Sequence, residues 1–179
     1  MTVFRRYAAR PERGMTLVEL CIVILILGVL LTLAVTTYSR ARMAGNEASA
    51  AASLRAINTA QFQYLNGCGR GNYATSLTIL GTKPAPNSQG YISEDLGSTT
   101  NPIRNGYQFS LQNGTGGAAG PDDCNGNPTQ TKYYASAVPL TLNQTGGNSF
   151  ATNQGGAVWW LEGSTPPDEP FEPPDQRVQ

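Results

Sequence analysis

The sequence predicts an α+β protein in which one long N-terminal helix packs, through its second half, on a small antiparallel β-sheet head. Three observations predict it. Residues 15–35 are almost continuously apolar, residues 41–65 are alanine-rich with an apolar stripe at helical spacing, and the chain beyond residue 104 breaks into short β-rich runs bounded by Gly, Asn or Pro. At 179 residues the chain has one domain's length. It has no histidine, which removes the commonest general base and the imidazole ligands of most catalytic zinc sites. No catalytic constellation stands out among the remaining residues, so the sequence reads as that of a non-enzyme.

The formal net charge of zero averages two unlike parts. Residues 1–42 hold six Arg and two Glu, 6 − 2 = +4, and residues 43–179 hold six bases and ten acids, 6 − 10 = −4. Between the basic start and the acidic remainder lies the apolar run. From Leu20 to Val35 the only polar side chain is Thr32, and the 21 residues 15–35 would span about 31 Å as a helix, close to a bilayer core. The sequence therefore predicts a transmembrane segment over 15–35. A cleaved secretory signal fits poorly because the apolar stretch is long and Tyr38-Ser39-Arg40-Ala41-Arg42 is a poor cleavage site.

The helix is expected to continue to about residue 66. Ala50, Leu54, Ile57, Tyr64 and Leu65 share a face, with Gln61 interrupting, and Gly67, Gly69 and Gly71 end the run. The globular head is expected over residues 67–164, and residues 66–104 read as an irregular connector with one short helix near Ser76–Leu80. Tyr107, Phe109 and Leu111 alternate with polar residues, and Tyr133–Val138, Ser149–Thr152 and Ala157–Leu161 are further strand candidates. Three or four strands are expected, with a hairpin turn at Asn153-Gln154-Gly155-Gly156 and the two tryptophans, Trp159 and Trp160, on opposite faces. Residues 165–179, with five prolines and four acids in fifteen positions, are expected to be disordered.

Glu19 is the unusual residue of the apolar segment. A charge at the centre of a bilayer costs ~2.5–3.5 kcal/mol on insertion scales, so a carboxylate there asks for a partner. A cut between Gly14 and Met15 would create an α-amino group four residues earlier, ~6 Å away along a helix axis. On another subunit, displaced along the axis, such an amine could meet Glu19.

Arg13-Gly14-Met15-Thr16-Leu17-Val18-Glu19-Leu20, followed by the apolar run and Tyr38, resembles the leader and N-terminal helix of type IV pilins and type II secretion pseudopilins. The resemblance implies a leader over residues 1–14, cleavage by prepilin peptidase after Gly14, N-methylation of Met15, and ordering of subunits during assembly by Glu19 together with Met15. Where many pilins carry a helix-kinking proline this chain has Thr36, while Gly28 is kept. The implied partners are further copies of the chain in a helical homopolymer, the peptidase, an inner-membrane assembly platform with its ATPase, and the membrane before assembly. The implied location is the inner membrane, single-pass, and then a cell-surface pilus or a periplasmic pseudopilus. The implied function is that of a structural subunit of a pilus-like filament. The alternatives are a pseudopilin of a type II secretion system or a signal-anchored extracytoplasmic binding module that never polymerises. Nothing in the sequence points to nucleic acid.

Of the three cysteines, Cys68 falls just past the long helix and Cys124 in a loop rich in Gly, Asn and Pro, while Cys21 lies inside the apolar segment. A Cys68–Cys124 disulfide is expected in an oxidising compartment. No cofactor is expected. Asp122 and Asp123 sit in an oxygen-rich loop that raises calcium as a weaker reading, supported by the calcium sites in head loops of major pseudopilins, although the loop does not fit an EF-hand.

Overall fold

The computed structural model describes residues 14–85 and 88–178, with the side chains of 32–36 outside that description. Packing divides the chain into two units, Met1–Tyr38 and Ser39–Gln179. Helix α1 (Leu17–Asn66) contributes to both, and its helical backbone continues through Gly28 and Thr36. The expected leader lies, except for Gly14, outside the described residues.

In the first unit every described side chain of α1 is exposed, large apolar residues included: Leu17 is 78% exposed and Leu31 64%. Over the described residues no helix is long and apolar enough to cross a membrane. The apolar stretch with described side chains, Leu17–Leu31, has fifteen residues (31 − 17 + 1), or about 22 Å, against the ~20 residues a bilayer core requires. The span expected over 15–35 thus falls short here, because its last part depends on side chains outside the description.

Among the described residues the hydrophobic core lies in the second unit and runs in sequence from Ala50 to Val158. The helical stripe supplies Ala50, Leu54, Ile57 and Tyr64, all at most 2% exposed. Complete burial of a Leu or Ile side chain stabilises by roughly 1.5–3 kcal/mol, so this stripe, rather than helix propensity alone, fixes this half of α1. Gln61 does not break the stripe. It is fully buried, its Nε2 donates to the carbonyl of Ala74 (3.0 Å) and its Oε1 accepts from the Ala74 N–H (2.9 Å). Both polar groups of the amide are thereby satisfied, as burial requires.

Past α1 come β1 (Tyr73–Ala74), α2 (Leu77–Gly81, capped by Ser76), α3 (Glu94–Gly97), β2 (Ile103–Arg104) and β3 (Tyr107–Asn113). They are followed by β4 (Ala119–Gly120), β5 (Thr129–Gln130), β6 (Tyr133–Pro139), β7 (Asn148–Asn153), β8 (Val158–Glu162) and β9 (Gln176–Arg177). The main sheet has six strands in the order β2-β3-β6-β7-β8-β9 with every pair antiparallel, and β1-β5-β4 form a second, smaller sheet. The four longer strands are those expected, and the hairpin turn at 153–156 joins β7 to β8. The count of three or four strands is corrected to six in this sheet. The added edge strands are two residues each, too short to show a period of two. β2 and β3 turn through Asn105-Gly106, both with positive φ (48° and 76°), the Asn-Gly dipeptide that tight hairpins favour.

Residues 165–179 correct the expectation of disorder. The described part lies across the outer face of the main sheet as a strap. Pro167 is fully buried, and its carbonyl accepts from the Tyr134 hydroxyl at 2.6 Å. Phe171 stacks between Trp159 (centroids 5.6 Å) and Tyr134 (6.4 Å), and β9 pairs with β8 at the sheet edge. Low hydrophobicity did not prevent order because the strap needs no core of its own. The sheet supplies aromatic surface, and the prolines lower the entropy of holding an extended chain against it.

Candidate functional site

The candidate site begins where regular structure begins. Gly14, Met15 and Thr16 are exposed and outside any helix or strand. A Cβ at Gly14 would meet nothing within 4 Å, so packing among the described residues does not require glycine there. Helix α1 starts one residue after Thr16, and this start is closed by a reciprocal cap. The Glu19 N–H donates to Thr16 Oγ1 (3.2 Å), while Glu19 Oε2 accepts from the Thr16 N–H (2.9 Å) and the Thr16 hydroxyl (2.8 Å). A Thr at the N-cap with a Glu three residues on satisfies two backbone donors that a helix start otherwise leaves unpaired.

The partner that Glu19 lacks in sequence terms is therefore Thr16, a neutral one. The carboxylate also sits in the first turn, where the helix dipole favours negative charge. The sequence signal for Thr16 as a cap is the spacing Thr-x-x-Glu before an apolar run.

The second constellation lies at the other end of α1. Cys68 and Cys124 form a disulfide, with Cα atoms 4.9 Å apart, and the Cys124 N–H donates to the Cys68 carbonyl at 3.0 Å. Beside it, Asp123 Oδ1 accepts from the N–H groups of Asn125 (2.7 Å) and Asn127 (2.8 Å). Asp123 Oδ2 accepts from the Tyr64 hydroxyl (2.8 Å) and the Asn127 amide (3.0 Å). Burial pushes the Asp123 pKa up, but the bonds from Asn127, Tyr64 and Asn125 outweigh it and hold the carboxyl below its ordinary value. Burial, and after it the bond to Asp123, pushes the Tyr64 hydroxyl upward.

Both oxygens of Asp123 are thus already engaged by protein donors, and Asp122 is exposed. Among the described residues no group of three or more His, Cys, Asp or Glu converges in a way that could hold a metal ion. Cys21 is a free, exposed thiol on α1. Trp160 packs against the core, while Trp159 lies on the opposite sheet face beneath the strap.

Residues 9–35 match the family model of the prokaryotic N-terminal methylation motif. No curated protein and no solved structure matches the chain. The match covers Gly14, Met15, the Thr16–Glu19 cap and the apolar start of α1. The motif belongs to structural subunits, not enzymes. It implies processing by prepilin peptidase, a membrane-anchored precursor, and assembly into a surface or periplasmic filament. The chain carries the N-terminal methylation signature of type IV pilins and pseudopilins.

Proposed function

We propose that this chain is the precursor of a structural subunit of a type IV pilus-like filament. Prepilin peptidase cuts after Gly14, Met15 becomes the methylated N-terminus, and the apolar part of α1 buries itself against the same segment of neighbouring subunits. The observation that carries the reading is the coincidence of the methylation motif with a helix whose described apolar side chains, from Leu17 to Leu31, are all exposed. An exposed apolar surface of that extent implies a partner, and a bundle of identical helices supplies one of matching chemistry.

In this reading Glu19 changes partner during assembly. In the single chain it accepts from Thr16; in the filament it pairs with the α-amine of Met15 on a neighbour. Two variants separate the roles. Glu19→Gln keeps an acceptor at the third helical position but removes the charge, whereas Thr16→Ala removes the cap hydroxyl, at about 0.5–2 kcal/mol, and keeps the charge.

The expected outcome is normal leader cleavage in both, loss of filaments in Glu19→Gln and retention in Thr16→Ala, scored by N-terminal sequencing and by yield of sheared filaments. Normal filaments from Glu19→Gln would refute the pairing. Recovery of the filaments from the cell surface or from the periplasm assigns them as pilus or secretion pseudopilus. A native chain beginning at Met1 would instead favour the non-polymerising anchored module.

A further inference from the structure

The strap borders an open trough of about 530 Å³ on the outer face of the main sheet, within the size range of small-molecule sites. Its floor carries the hydroxyls of Ser110 and Ser136, 2.8 Å apart and bonded to each other, and beside them the exposed amide of Gln112. Its rim is the strap, with Pro166, Asp168 and Glu169.

Glu169 is fixed in place. One of its carboxylate oxygens accepts from the Thr115 N–H and the other from the Asn153 amide, each at 2.6 Å. Asp168 and the Gln112 side chain are exposed, and among the described residues neither has a hydrogen bond or ion pair. Neither is required by the surrounding packing.

The chemistry of the lining selects a ligand class. Two carboxylates with no Lys or Arg among the described lining residues repel an anion. An apolar ligand would strand the Gln112 amide and the Asp168 carboxylate without water or a partner. A bare cation would find only two carboxylates, Asp168 and Glu169, and among the described residues no group of three or more His, Cys, Asp or Glu converges to hold a metal ion.

What remains is a ligand presenting adjacent hydroxyls, each both donor and acceptor, to a carboxylate, an amide and a pair of serines, with a C–H face to set against the Pro166 ring. We propose that this trough binds a small polyhydroxylated ligand of the saccharide class, with Gln112 and Asp168 as its hydrogen-bonding contacts.

The test uses the full chain in detergent, titrated with glucose, galactose, mannose and N-acetylglucosamine up to about 20 mM, the range in which a few hydrogen bonds give measurable affinity. Saturation-transfer NMR reads binding, and tryptophan fluorescence reads the strap, because Phe171 stacks on Trp159. Saturable binding of at least one sugar is expected. Gln112→Ala and Asp168→Asn should each weaken it about 3–10-fold, one hydrogen bond's worth, while leaving the melting temperature unchanged. Absence of saturable binding by all four sugars overturns the proposal, as does binding that neither variant weakens.

Discussion

Thr16 and Glu19 form a reciprocal cap at the start of α1. Three hydrogen bonds within four residues close this helix start, and the same carboxylate is the one proposed to act in assembly. Asp123 plays a comparable part in the head, accepting four bonds that tie the 123–127 turn to Tyr64 of α1. Its folded pKa lies below the unfolded one, so the stability it contributes is present above the unfolded value of about 3.9 and is lost as pH falls through the folded value. Melting temperature should therefore drop on acidification below about pH 4, and the drop should be smaller in Asp123→Asn. That variant should cost about 1–3 kcal/mol at neutral pH, because buried donors lose a charged acceptor. Thermal melts at pH 7 and at about pH 2.5 check both expectations.

Among the elements, two covalent or extended ties hold the head where its strands are short. The disulfide joins positions 56 residues apart. In the chain-entropy model a loop of that length stabilises by roughly 4 kcal/mol, which corresponds to roughly 10 °C in the melting temperature of a protein this size. Reduction, or Cys68→Ser with Cys124→Ser, should lower the midpoint by that order in a calorimetric scan. The strap depends on Phe171, which is only partly buried between two aromatic rings. Phe171→Ala should cost about 1–2 kcal/mol and shift tryptophan emission to the red. Unchanged emission would mean that the strap does not cover Trp159 in solution.

At the scale of the whole molecule, the described core and the exposed apolar part of α1 occupy different stretches of the chain. Every residue of the core cluster lies between Ala50 and Val158, inside the unit Ser39–Gln179. That unit, exported on its own, should fold with its disulfide formed, melt within a few degrees of the full chain, and form no filaments. Circular dichroism and sedimentation measure these. The charge distribution fits the same division of labour. Removal of residues 1–14 takes away four Arg and one Glu, leaving eight bases and eleven acids, 8 − 11 = −3.

Much of this was legible in the sequence because it is local or periodic. The Gly14–Glu19 motif, the apolar run and the helical stripe through Leu54 and Ile57 are read from neighbours at fixed spacing, as are the alternation in β3 and the turn at 153–156. Thr16 as the cap was legible too, in its spacing from Glu19. Other features were decided only when distant segments met. Gln61 reads as a flaw in an apolar stripe until the backbone of Ala74 supplies both its hydrogen bonds. The two-residue strands β2 and β9 have no pattern of their own and exist because a longer strand offers free backbone groups. The Pro-rich, acidic C-terminal segment reads as disorder because hydropathy counts what a segment can bury alone. Its order depends on Tyr134 and Trp159, presented by strands β6 and β8. The sequence by itself determined the elements and the processing motif, whose physics acts over one or two turns of chain. Tertiary structure alone decided which polar groups are satisfied and which surfaces are covered, because those are properties of pairs of segments brought together by the fold.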